Sequence, residues 1–118
     1  MYGSLSKLII STYEFYHLVS INDILYCQSN NSYTTFYVKN FGQVKVSASI
    51  NKVEEKLKGH NFIRPHQSYL VNAEYIQRIS KRQGMKIYIG HDIIIPVSKR
   101  MKKDFLKNIE NMCRIQIP

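Results

Sequence analysis

A chain of 118 residues with 44% hydrophobic and 21% charged side chains has apolar material for one buried core and too little length for several, which excludes multi-domain enzymes. Seventeen Lys and Arg against eight Asp and Glu leave a net charge of +9, which favours a polyanionic partner. No apolar run reaches the length of a membrane span and Met1 to Lys7 lacks the pattern of a signal peptide, so a cytoplasmic protein without a membrane partner is expected.

Strand formers dominate the first half, in Leu8 to Tyr13, Tyr16 to Val19 and Ile24 to Cys27. The polar cluster Gln28 to Ser32 has turn chemistry, and Tyr33 to Lys39 resumes strand character. Asn40-Phe41-Gly42-Gln43 predicts a hairpin turn. It feeds a strand that sets Val44, Val46 and Ala48 on one side and Lys45 and Ser47 on the other. The periodicity then switches. Ser49 is a candidate cap for a helix of two to three turns with Ile50, Val53 and Leu57 on its inner face, a Glu54–Lys58 pair, and Gly59 as its stop. Its Glu54-Glu55 pair fits a solvated face, since no converging polar groups suggest acid–base chemistry.

From Phe62 the pattern returns to short strands. Pro65 precludes a helix through its position, Tyr69-Leu70-Val71 is apolar, and Asn72 can end a strand. Ile76 to Ile79 and Met85 to Ile89 flank a basic tip, Ser80 to Gly84, and Gly90-His91-Asp92 leads into Ile93 to Val97. The last element is a helix with Ser98 as candidate N-cap. Met101, Phe105, Ile109 and Met112 form its apolar stripe, Lys99, Arg100, Lys103 and Lys107 lie roughly opposite, and Lys102 sits at the margin. The density of short strands predicts a mainly β domain. Cys27 and Cys113 are too few and wrongly spaced for a disulfide framework or a zinc site, so both are expected as reduced, partly buried thiols. No metal and no cofactor is expected, and nothing points to an enzyme.

In this order of elements the segment from Ile21 to about Leu106 resembles a LytTR-type DNA-binding domain, the output module of many bacterial two-component response regulators. The stretches that carry the likeness are Ile24 to Tyr33, Ser49-Ile50 opening a short helix that ends at Leu57, Phe62 to Asn72, and Ile95 to Lys99. The most specific is the F-x-R-x-H-x-S-Y-L-V-N string from Phe62 to Asn72, followed closely by Ile76 and Ile79. Residues 1–20 are then an N-terminal segment, partly linker or first strand, and 107–118 are the end of the last helix and a tail.

The resemblance implies an elongated fold of small antiparallel sheets with short helices, whose loops enter successive major grooves of duplex DNA. It places base contacts on Tyr33, on Gln67 just after His66, and on Lys99 with Arg100 beside it at the start of the last helix. Tyr33 stands where other members carry histidine or another polar residue, Gln67 where Arg or Asn is frequent, and Lys99 where Arg is usual. The chemistry of those side chains agrees, since Gln can pair with adenine and Lys can donate to guanine acceptors. Lys45, Arg64, Ser68, Lys102 and Lys103 suit phosphates, which set register without reading sequence.

Other readings stand beside these. Tyr33 can be an ordinary strand aromatic and Arg64 a brace of the fold. His66 fits a hydrogen-bonding brace of its turn better than a base reader. For the whole chain, sequence-specific duplex binding by a transcriptional regulator stands against an RNA- or single-strand-binding β module, which many Tyr and Phe on a basic surface also describe. A protein-interaction module is a third reading. A second copy on a paired site and an input domain outside this chain belong to the first.

Overall fold

Short runs rich in β-branched and aromatic residues make ten strands of this chain, and two stretches of helical period interrupt them. The structure, a computed structural model, describes all residues 1–118. In chain order the strands are β1 (Lys7–Ser11), β2 (Tyr16–Ser20), β3 (Ile24–Asn30), β4 (Tyr33–Val38) and β5 (Gly42–Val46), then helix α1 (Ile50–Lys56). They continue as β6 (Phe62–His66), β7 (Tyr69–Asn72), β8 (Ile76–Ser80), β9 (Lys86–Ile89) and β10 (Ile93–Pro96), then helix α2 (Lys102–Cys113). All sheets are antiparallel: a β1-β2 ribbon, a five-stranded sheet ordered β5-β4-β3-β7-β6, and a three-stranded sheet ordered β10-β9-β8. Extents of 47 × 35 × 26 Å make the molecule elongated.

The five-stranded sheet has a core on each face. On one side, α1 crosses from the β5 edge to the β6 edge and sets Ile50, Val53 and Leu57 against Cys27, Phe36, Val44 and Leu70; Ile10 and Val19 of the ribbon close the same cluster. On the other side, Ile63 and Val71 meet Ile87, Ile89 and Ile95 of the three-stranded sheet and Phe105 of α2. The ribbon therefore shares a core with the sheet, across the division expected at residue 21. α2 runs on past Leu106 to Cys113, so residues after 106 hold the end of that helix, as expected.

Several local expectations change. β3 continues to Asn30, so the turn shrinks to Asn31-Ser32, with Asn31 in the left-handed region at φ 58°. Ser49 does cap α1, its Oγ accepting from the Lys52 N–H. Glu54, however, does not pair with Lys58, which lies beyond the helix end; its carboxylate meets Arg64 instead. Ser98 accepts from the Met101 N–H, and this opens a turn over Lys99 to Met101, so α2 itself starts only at Lys102. The apolar stripe fades at its end, where Met112 is exposed, and Cys113 is an exposed thiol rather than a partly buried one. No helix is long and apolar enough to cross a membrane.

Phe105 is 1% exposed whereas Lys107 is exposed. Phe105→Ala is expected to cost about 3 to 5 kcal/mol, and Lys107→Ala to stay within about 0.5 kcal/mol. Urea denaturation of both variants checks this, and equal midpoints would contradict the two-faced helix.

Burial also pushes the Cys27 thiol far above its ordinary 9.0. From about pH 9 upward the unfolded chain releases that proton and the fold retains it, so the contribution to stability is complete below pH 9 and is lost as pH rises. The loss amounts to about 1.4 kcal/mol per pH unit. Tyr26, raised from 10.0 to about 12 by burial and by its neighbours Tyr37 and Tyr69, acts in the same direction above pH 10. Cys27→Ala is expected to flatten the decline of the urea midpoint between about pH 9 and 10, and an unchanged slope would refute the linkage.

Candidate nucleic-acid interface

The two-residue turn Gln67-Ser68 between β6 and β7 is held unusually firmly for a surface turn. The β6–β7 ladder is interrupted between Ile63 and His66, and Pro65 has no N–H to offer, so only the His66–Tyr69 pair of the ladder reaches the tip. Other donors add to it. The Ser98 N–H reaches the Pro65 carbonyl at 2.9 Å, and the Ser29 N–H reaches the Ser68 carbonyl at 2.8 Å. Arg64 donates from Nε to the His66 carbonyl at 2.9 Å and from Nη2 to the Gln67 carbonyl at 2.5 Å. All four carbonyls from Pro65 to Ser68 are thus occupied. Within the turn, the Ser68 N–H donates to His66 Nδ1 at 3.0 Å, so His66 is a brace, and its ring packs edge-on to Tyr69.

These bonds join three segments that are far apart in the sequence. Ser29 belongs to β3 just before the β3–β4 turn, and Ser98 opens the turn that carries Lys99 and Arg100. An open cleft of about 770 Å³ lies among them, lined by Ser29 and Asn31, by Gln67 and Ser68, by Arg100, and by the start of α1. Gln67 and Arg100 are exposed on its wall. Lys99 is exposed beside Arg100 in the turn before α2, not in the first helical turn, and Tyr33 lies outside the lining. The ring of Tyr33, 45% exposed, carries the Lys45 ammonium 4.8 Å from its centroid, a cation–π pair between an expected base contact and an expected phosphate contact. Lys102 and Lys103 project from the first turn of α2 and are exposed.

Arg64 is used differently from the phosphate contact expected of it. Besides the two carbonyls of the turn, its Nη1 donates to Asn51 Oδ1 at 3.0 Å and to Glu54 Oε1 at 2.7 Å, and its side chain is only 12% exposed. With its donors committed inside the fold, the guanidinium braces the turn and has little left for a phosphate.

Three polar lining residues carried no expectation from the sequence, Asn51, Asp104 and Asn108, and Ser29 and Asn31 were expected only as turn formers. Asn31 lay within a recognised polar turn, and its left-handed backbone is a conformation asparagine tolerates. Arg100, Asp104 and Asn108 follow one another at intervals of four, which is the available signal for that wall. Asn51 has no local signal, because only the passage of α1 over the sheet brings it to Arg64.

Comparison with known proteins agrees with this architecture. The LytTr DNA-binding domain family matches residues 14–110. The sensory transduction protein LytT of Bacillus subtilis is 32% identical over 104 residues, covering 86% of this chain and 42% of that protein. The transcriptional regulatory protein LytR of Staphylococcus aureus is 23% identical over 95 residues, covering 79% of this chain and 38% of its own length. The chain therefore spans about two fifths of these relatives. Among solved structures, a LytTr DNA-binding domain from Bacillus cereus shares the fold, with a TM-score of 0.76 at 20% identity over 90% of this chain and 98% of that one.

Proposed function

Because this chain belongs to the LytTR family of DNA-binding domains, we propose that it binds duplex DNA in a sequence-specific manner as the output part of a bacterial transcriptional regulator. The observation that carries the reading is the hydrogen-bonded joining of three exposed loops around one cleft. Gln67 in one loop and Lys99 and Arg100 in another reach outward with the donors that base edges in a major groove require, and Tyr33 flanks them. Lys45, Ser68, Lys102 and Lys103 take phosphates, which supply affinity and register. The loops enter successive grooves in this reading. A signal-receiving part of the same regulator, and a second copy on a paired site, would complete it; the relatives' names, sensory transduction and transcriptional regulation, fit such a division of labour.

Single-strand or RNA binding by stacking is less well supported. It needs free aromatic faces along the cleft, and the exposed Tyr13, Phe15, Tyr16 and Phe41 lie outside the cleft's lining. Tyr26 and Tyr37 stack on each other at 4.3 Å and 9°, and one face of Tyr33 is covered by Lys45.

Two measurements test the proposal, both starting from a preferred duplex selected from a random library. Gln67→Ala is expected to lose about 1 to 3 kcal/mol on the preferred duplex, with little change on scrambled duplex and relaxed choice at one base position. Equal losses on both would reduce Gln67 to a positioning role. For the parent protein, neutralising about five to eight phosphates gives a slope of log K against log salt of roughly −4 to −7. A slope near zero would remove the electrostatic basis of the reading.

A further inference from the structure

Arg64 joins two things that the ladder of β6 and β7 leaves unconnected. On one side its Nη1 is anchored to α1 through Glu54 Oε1 at 2.7 Å and Asn51 Oδ1 at 3.0 Å, residues three apart and so on one face of that helix. On the other side Nε and Nη2 hold the carbonyls of His66 and Gln67. A planar guanidinium can serve both directions because its donors form a rigid fork; a lysine ammonium keeps the charge but has no such fork. The β6–β7 ladder is interrupted between Ile63 and His66, and the carbonyl of Gln67, which lies outside the ladder, has no other protein donor without the fork.

We propose that Arg64, set by Glu54 and Asn51, is a positioning residue for base selection, fixing the aim of Gln67 without itself touching DNA. The inference rests on the duplex reading above and deepens it. The turn's geometry, and hence the direction in which the Gln67 amide leaves the backbone, is set from α1 by an ion pair.

Charge makes the test sharp. Glu54→Gln removes a negative charge from a protein that binds a polyanion, so electrostatics alone would strengthen binding to every duplex together. The positioning role predicts a divergence: affinity for scrambled duplex holds or rises, while the preference for the selected duplex over the scrambled one falls about ten-fold, the size of effect of one misread base pair. Arg64→Lys, with net charge unchanged, is expected to lower the same preference while leaving the salt slope as it was. A direct phosphate contact predicts otherwise, with Arg64→Lys keeping the preference intact and Arg64→Gln lowering both affinities and the slope.

A purely structural brace would lower the melting temperature in both variants and leave the preference untouched. Nitrogen-15 relaxation of the Gln67 and Ser68 amides supplies a readout free of DNA. Increased motion there in Glu54→Gln is expected, and a turn as rigid as in the parent protein would overturn the inference even if Arg64→Lys failed to fold. If the parent protein shows no preference among duplexes, the duplex reading itself has failed; if it does and both variants retain it, only the role given to Arg64 is refuted.

Discussion

The antiparallel pairing of β3 with β7 is the constraint on which the remaining structure depends. Tyr26 lies opposite Val71, Cys27 opposite Leu70 and Gln28 opposite Tyr69, so two segments more than forty residues apart share one ladder. Because side chains alternate across a strand, each pair of neighbours feeds a different core: Cys27 and Leu70, both wholly buried, turn toward α1, while Val71 turns toward the three-stranded sheet. A slip of one residue would exchange those faces and empty both cores. Contacts at each end reinforce the register. The buried Asn72 amide donates to the Ile24 carbonyl at 2.9 Å at one end, and the Ser29 N–H reaches the Ser68 carbonyl at the other.

The second of those contacts links packing to function. Where the β3–β7 ladder ends, the Ser29 N–H of β3 is bonded to the Ser68 carbonyl of the turn that carries Gln67, and the same turn is bonded to the approach to α2 through Ser98. The loops proposed to contact DNA therefore extend from the most constrained part of the sheet. This suits base reading, since a donor must be held in a fixed direction for discrimination between bases, whereas phosphate binding tolerates mobile lysines. Charge is divided along the same lines. Lysines stand at the periphery of the cleft, on β5 and on the first turn of α2, while Glu54 and Asp104 lie within its lining, so the lining is far less basic than a net charge of +9 suggests.

Much of this was legible from residue patterns. Period-two alternation marked β5, runs of strand formers between turn signals marked the strands of the last sheet, period 3.6 marked α1 and α2, and the Ser49 cap formed as its chemistry predicts. The string from Phe62 to Asn72 identified the family, which the match over residues 14–110 bears out. Errors fell where a side chain had two plausible partners. Glu54 had a lysine four residues away and an arginine ten residues away, and the arginine prevailed because it is largely buried, where a carboxylate partner compensates the cost of removing a cation from water. Ser98 caps a turn rather than the helix, its Oγ accepting from the Met101 N–H one residue before α2 begins.

What the sequence determined by itself is local: which stretches form strands and helices, which face of each is apolar, where turns fall, and the overall positive charge. These follow from steric preferences and side-chain periodicity within a few residues. Tertiary structure alone decided which loops meet and how each polar group is satisfied. Asn51, Arg64, Ser29 and Ser98 converge on one turn only after α1 has crossed the sheet and β3 has paired with β7, and no spacing along the chain encodes that meeting. Arg64 is the clearest instance: its charge suggested a phosphate contact, but its burial beside Glu54 and two backbone carbonyls made it a support for the turn.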